Sequence, residues 1–261
     1  MAWIWRGLRE GVVTTRYPAR PDDYGPGHRS SVRIVAGPRI PAGAAVERLC
    51  PTGAIGSREG ALQVDRGRCI LCGRCVDARP DLFEYDPSPE TARVTRTGLI
   101  VPAVAEDDDA LEAVRAELAR RVRVLRRSVH IRHVDAGSDG SEEWEIAALG
   151  NPVYDVQRLG VYFTATPRHA DLLLVTGAGA AGMAGPLRRT WDAMPAPKIV
   201  VAAGTDAISG GLVDPTYATL GGIGGIVPVD VWVPGSPPSP FSLLHGILLA
   251  VGLLPWRGRR P

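Results

Sequence analysis

At 261 residues the chain has room for two compact units or one large one, each with its own core. Hydrophobic residues make up 45% and charged residues 22%, and the formal net charge is only +2, which gives no electrostatic case for nucleic acid as the main partner. Nearly all the basic residues are arginine, Lys198 being the sole lysine, a bias that a GC-rich genome produces without any functional demand.

The opening Met1-Ala2-Trp3-Ile4-Trp5-Arg6-Gly7 lacks the charged start, apolar core and small-residue cleavage site of a secretory leader. A cytoplasmic protein is expected. Trp3 to Val12 reads as an amphipathic helix. Its Trp3, Trp5 and Leu8 suit a face that docks on another subunit or a membrane-embedded partner, ordinary internal packing being the alternative. An irregular Arg/Pro/Gly-rich stretch follows to about Arg39, and all four cysteines then fall between Cys50 and Cys75, on turns between short strands. Residues 80–104 alternate weakly and predict a strand or two that close this first module.

A helix signal begins at Glu106. Its first turn is acidic (Asp107, Asp108, Asp109) and its last is basic (Arg120, Arg121, Arg123, Arg126, Arg127), as the helix dipole favours. Leu111, Val114, Leu118, Val122 and Leu125 share one face, so the helix is expected to bridge two domains. Its basic end is a solvated terminus or a docking patch.

The second half reads as α/β. Asp171 to Thr176 and Lys198 to Ala203 are short apolar runs ending in glycine-rich turns, the pattern of buried parallel strands. Gly185 to Met194 predicts the crossover helix between them, Val227 to Val233 a third strand, and Ser242 to Leu254 a closing helix. The longest apolar run, Leu243 to Leu254, is interrupted by His245 and falls short of the roughly 20 residues that span a bilayer.

Cys69-Ile-Leu-Cys72-Gly-Arg-Cys75 is a C-x2-C-x2-C loop, with Cys50-Pro51 upstream. A cubane iron–sulfur cluster needs four thiolates: a tight loop supplies three, and a Cys-Pro supplies the fourth in bacterial ferredoxins. In a reducing compartment four cysteines serve better as metal ligands than as disulfides. One [4Fe–4S] cluster on Cys50, Cys69, Cys72 and Cys75 is therefore expected, with a structural zinc or plain buried thiols as the alternatives. A two-cluster ferredoxin would carry four further cysteines where this chain has Ile40, Gly43, Val46 and Arg79. Those four positions are the complete ligand set of the other cluster, which reads as lost as a unit.

These residues carry a family resemblance. Trp5-Arg-Gly-Leu-Arg-Glu-Gly-Val-Val-Thr-Thr-Arg-Tyr-Pro18 and the cysteine module resemble the ferredoxin-like subunit of respiratory complex I and formate hydrogenlyase. From Ser128 onward the chain resembles the small subunit of group 4 [NiFe]-hydrogenases and the B subunit of complex I, through Asn151-Pro-Val-Tyr-Asp155, Pro167-Arg-His-Ala-Asp171, Met194-Pro-Ala-Pro-Lys198, Val227-Pro-Val-Asp230 and Pro234-Gly-Ser-Pro-Pro238. The resemblance implies a fusion of two adjacent subunits. It implies an α+β ferredoxin-like module (1–105), a linker helix (106–127) and an α/β flavodoxin-like parallel-sheet domain (128–261). The function it implies is electron transfer and scaffolding in a membrane-associated complex, without turnover of a substrate by this chain. The implied partners are a hydrogenase-large-subunit-like or complex I-like subunit and membrane subunits, with the chain held on the inner face of the cell membrane and no transmembrane segment of its own.

The family's small subunit carries a second cluster, and here its ligand positions hold Asp139 and Glu142, in Asp135-Ala-Gly-Ser-Asp139-Gly-Ser-Glu142-Glu-Trp-Glu-Ile146, together with Asp206 and Ser236. These groups are expected to hydrogen-bond locally or face water, with a hard cation as the alternative. Thr176-Gly-Ala-Gly179-Ala-Ala-Gly182 matches the dinucleotide fingerprint after a strand. It raises a second reading, a nucleotide-binding iron–sulfur oxidoreductase; a structural subunit with a non-redox cluster is a third. Arg168 and His169 suit a loop anchored to a carboxylate or a proton relay. His130 and His133 read as structural, and Glu145 occupies a position where active hydrogenases use an acidic residue in proton transfer.

Overall fold

A computed structural model describes residues 2–20, 22, 27–35, 44–58, 60–102, 108–123, 125, 128–213 and 215–254. The positions of Ile40 and Gly43, and of Asp107, Arg126 and Arg127, lie outside the described residues.

The first half runs through helix α1 (Ala2–Glu10), β1 (Ser31–Ile34), α2 (Ala44–Glu47), β2 (Ile55–Arg58), β3 (Ala61–Asp65), α3 (Arg74–Ala78), β4 (Phe83–Asp86) and β5 (Ile100–Val101). β1 pairs antiparallel with β4, and β2, β3 and β5 form a second antiparallel sheet in that order. A small core of Val32, Ile55, Leu62, Val64, Leu82 and Phe83 lies between them, and Cys50, Cys69 and Cys75 pack against it. α1 leaves its apolar side chains outside: Trp3 is 77% exposed and Trp5 72%.

The second half comprises α4 (Asp108–Val122), β6 (Val129–Asp135), α5 (Ser141–Ala148), β7 (Val161–Phe163), β8 (Leu172–Thr176), α6 (Ala181–Ala193), β9 (Ile199–Ala203), α7 (Thr205–Ser209), β10 (Val231–Val233) and α8 (Pro240–Ala250). Its five strands form one parallel sheet, ordered β10-β9-β8-β6-β7. β8 and β9 are buried along their whole length because both faces of the sheet are covered. Leu172 and Leu174 join the core beneath α4 and α8, while Leu173 and Val175 join the core beneath α6 and α7. α8 starts on Ser239, whose side chain accepts the Ser242 N–H at 3.3 Å, with Pro240 in the first turn.

The halves are stitched together. Thr15 N–H donates to the Val153 carbonyl at 2.8 Å, and Arg158 donates to the Tyr17 carbonyl at 2.8 Å. Tyr17, Ala92, Leu118 and Val122 all sit in the core under α8. Arg93 forms an antiparallel bridge with Trp232 of β10, exchanging bonds of 2.9 and 2.8 Å.

The strands expected at 171–176 and 198–203 form within a residue of those bounds, whereas the third shrinks to Val231–Val233. Ile226 and Val227 are buried instead in an irregular turn under α6. β6, β7 and α5 carried no expectation. β6, Val-His-Ile-Arg-His-Val-Asp, alternates apolar and polar residues only as far as Arg132, and His133 then breaks the period-two signal.

Candidate functional site

Cys50, Cys69, Cys72 and Cys75 line one cavity, walled otherwise by aliphatic side chains including Val32, Leu49, Ile55 and Val64. None is in a disulfide, and only Cys72 is exposed. Local backbone shapes this arrangement. Leu71 (φ 55°) and Gly73 (φ 81°) both adopt left-handed conformations, so the chain can wind tightly between Cys69 and Cys75. A methyl group on Gly73 would lie 2.4 Å from the Tyr85 hydroxyl, so a larger residue would push that side chain aside as well as strain the left-handed backbone. The Thr52 hydroxyl donates to the Arg68 carbonyl at 2.6 Å and ties the Cys50 turn to the start of the loop. The Ala54 N–H points at Cys50 Sγ, 3.2 Å away.

Burial pushes the Cys69 thiol up to about 12, and its three cysteine neighbours push the same way. Cys75 is raised for the same reasons. Four thiolates in this cavity are therefore unfavourable unless something cationic sits among them, which is what an iron-bearing core provides. Among the described residues, no three His, Cys, Asp or Glu side chains are grouped to hold a single metal ion. The thiols line a common cavity, and a four-cysteine donor set of this spacing fits an iron–sulfur cluster.

The structure also brings Asp139, Glu142 and Asp206 within electrostatic reach of one another. Asp139 faces water, and hydrogen bonds from the Ser141 side chain first and then from the Ser141 N–H, at 2.9 Å, hold its carboxyl below the ordinary range. Glu142 does the opposite: it is 1% exposed, and its Oε1 is buried with no hydrogen-bond partner. Burial first, then Asp206 and Asp139, push it up to about 7. Burial and Asp139 likewise raise Asp206. Ser236 sits in the adjoining turn, where the Gly235 carbonyl accepts the Thr205 N–H at 2.7 Å. The expectation that these groups bond locally or face water thus holds for Asp139 and for Glu142 Oε2, which accepts the Ser141 hydroxyl at 3.2 Å, but not for Glu142 Oε1. This site touches the cysteine loop directly, for Thr205 Oγ1 donates to the Cys69 carbonyl at 3.0 Å.

The glycine-rich turn after β8 has three of its donors engaged. The N–H groups of Ala178, Ala180 and Ala181 go to the carbonyls of Gly137, Ala136 and Ala218, which leaves them unavailable to a phosphate. Arg168 and His169 are exposed, and neither has a carboxylate partner among the described residues. His130 lies 3.6 Å from Asp171 and stacks on Tyr162. Burial raises the Glu145 carboxyl. Sequence reasoning missed two polar clusters. His133 Nε2 meets Thr176 Oγ1 at 3.0 Å, Thr176 donates to Glu143 at 2.5 Å, and Ser138 donates to Glu143 at 2.7 Å. His245, buried beneath β10, accepts the Ala92 N–H on Nδ1 at 3.3 Å. The only hint of the latter was a histidine inside an apolar run.

Two protein families match the chain. The family described as the 20 Kd subunit of NADH ubiquinone oxidoreductase matches residues 140–250, and the 4Fe-4S single cluster domain of ferredoxin I matches residues 64–116. Formate hydrogenlyase subunit 7 of Escherichia coli (strain K12) is 38% identical over 154 residues, which span 59% of this chain and 59% of that protein. The chain thus covers about three fifths of that relative's length. A chain of the membrane-bound sulfane sulfur reductase, an archaeal respiratory membrane complex, is 28% identical with a TM-score of 0.44, covering 50% of this chain and 75% of that one. A chain of an NAD+-reducing [NiFe]-hydrogenase is 21% identical with a TM-score of 0.40, covering 48% and 93%. By sequence, this chain is similar to subunits of formate hydrogenlyase and NADH ubiquinone oxidoreductase and has an iron–sulfur domain match. Among the described residues no helix is long and apolar enough to cross a membrane.

Proposed function

We propose that the chain is an electron-transfer and scaffolding subunit of a complex I-like or group 4 hydrogenase-like, formate hydrogenlyase-like, membrane-associated complex. The observation that carries this reading is the enclosure of Cys50, Cys69, Cys72 and Cys75 around one aliphatic cavity. In the proposal these residues hold one [4Fe–4S] cluster, which when bound supplies one-electron transfer. The chain's own atoms do the rest. Val32, Ile55 and Val64 exclude water from the inner side, the Ala54 N–H steadies the Cys50 sulfur, and exposed Cys72 marks the side from which an electron arrives or leaves.

The two small antiparallel sheets of the first half support a ferredoxin-like module over 1–105. The doubly covered parallel sheet supports a small-subunit-like domain over 128–261, joined through the helix in 106–127. Collinear matches to an iron–sulfur family and then a complex I subunit family support a fusion of two neighbouring subunits. Asp139, Glu142, Asp206 and Ser236 are read as the emptied ligand positions of a second cluster. The proposed partners are a large-subunit-like protein and membrane subunits, with the complex on the cytoplasmic face. The test is anaerobic purification with iron and sulfide analysis and EPR of the reduced protein. About four irons and a cubane signal support the reading; a preparation without sulfide, or with near eight irons, contradicts it.

A further inference from the structure

Glu142 is the one described carboxyl with an oxygen that is both buried and without a hydrogen-bond partner. A buried carboxylate in that position is an uncompensated charge, and such charges are strongly disfavoured unless the group takes a proton. Among the described residues, the charged groups that act on it are themselves carboxylates. On its own side stand Ser141, whose hydroxyl donates to Oε2 at 3.2 Å, and the carboxylate of Asp139. α7 contributes the carboxylate of Asp206. α8, packed against α5, has His245 as its sole titratable residue, and burial keeps that ring neutral. β9 and β10 carry none. Among the described residues no arginine, lysine or histidine forms an ion pair with Glu142.

The seat of this carboxyl is a specific one. Its Oε1 and Cδ lie against the Cα of Gly204, so that a methyl group there would come within 2.5 Å of Oε1. Gly204 (φ 96°) starts the turn into α7, anchored by its N–H to the Val233 carbonyl at 2.9 Å. The next residue is Thr205, which is fully buried and holds the Cys69 carbonyl. Glu142, Gly204, Thr205 and Cys69 thus form one line of contact from α5 to the cysteine loop.

We propose that Glu142 is a proton-binding site coupled to the cysteine loop: the neutral carboxyl seats α5 on the Gly204 turn, and the carboxylate leaves that seat and disturbs the Thr205–Cys69 bond. The elevation of Glu142 to about 7 sets the exchange near neutrality. The coupling half rests on the cluster reading above. An electron from a low-potential reductant adds negative charge at the cluster, and a proton from solvent bound at Glu142 partly offsets it.

The experiment has two readouts on the purified full chain, wild type and Glu142→Gln, the amide standing in for the neutral acid. Infrared titration should show a protonated-carboxyl band that disappears as pH rises through neutrality in the wild type and is missing in Glu142→Gln. The cluster's reduction potential should fall with rising pH over the same range in the wild type and be flat there in the variant. A band that does not titrate near neutrality, or that persists in the variant, overturns the proton site whether or not a cluster is present. A titrating band with a pH-independent potential, or a slope retained in Glu142→Gln, overturns the coupling. A protein lacking iron and sulfide overturns the cluster reading and the coupling with it, while the band still decides Glu142.

Discussion

Thr205 Oγ1, at the first residue of α7, donates a 3.0 Å hydrogen bond to the main-chain carbonyl of Cys69. This joins the parallel-sheet half to the cysteine loop by a part-buried bond whose donor, Thr205, is wholly inside. Thr205→Val keeps the shape and removes the donor. It is expected to cost about 0.5–1.5 kcal/mol of stability and to quicken loss of the cluster to a chelator. Thermal unfolding and bleaching of the iron–sulfur absorbance measure the two effects; unchanged bleaching would show that the bond does not steady the loop.

Replacing Cys72 with serine removes the exposed thiol of the set. The four-iron signal should vanish, and the first half should become protease-sensitive while the parallel-sheet half resists. A small core built beside a cluster has little else to hold it. Retention of a full cubane signal in Cys72→Ser would remove Cys72 from the ligand set.

Gly73→Ala puts a methyl against the Tyr85 hydroxyl in a left-handed backbone position. A cost of roughly 1–3 kcal/mol is expected, with poor cluster incorporation. Adding Tyr85→Phe relieves the contact but not the backbone, so the double variant should recover only part of the loss. Iron content and melting temperature of the three variants check this, and equal values for Gly73→Ala and wild type refute it.

His245 supplies the pH dependence with the clearest sign. Burial, helped by Arg93, holds it at about 3, below its ordinary 6.5. The folded protein keeps the ring neutral while the unfolded chain takes a proton below about 6.5. Its contribution is therefore full above pH 6.5 and is lost as pH falls toward 3, at up to ~1.4 kcal/mol per pH unit. His245→Asn retains an acceptor for the Ala92 N–H and removes the titration. Denaturant melts between pH 4 and 7 should show a shallower acid limb in the variant; parallel limbs would exclude this histidine as the cause.

The α1 tryptophans make no such contribution to folding. With Trp3 and Trp5 exposed, Trp3→Ser/Trp5→Ser should leave the melting temperature unchanged, since surface changes away from special contacts stay within about 0.5 kcal/mol. The same variant should co-purify with less membrane partner from the native host. A drop in melting temperature with partner binding intact would reassign α1 to internal packing.

The cysteine spacing alone pointed to the residues that share the cavity, because a tight loop leaves its ligands little choice of position. The buried strands at 172–176 and 199–203 were legible for a similar reason: a run without polar residues has to lie inside. Glu142 was not. Its neighbours Ser141 and Glu143 are polar and α5 starts there, so local pattern favours a solvated turn. Only the tertiary approach of Gly204 encloses it. The pairing of Arg93 with Trp232 was equally invisible, since a single antiparallel bridge between distant segments has no periodicity.

That bridge bears on how the two halves can exist apart. β10 is the last strand of the parallel sheet, and Arg93 occupies its open side. A chain cut near residue 105 would leave β10 with free N–H and carbonyl groups, remove Tyr17 and Ala92 from beneath α8, and deprive His245 Nδ1 of its donor. Unguarded sheet edges recruit other strands. The released half would thus be a self-associating fragment, and separately encoded versions of the two halves would have to meet soon after synthesis to remain soluble.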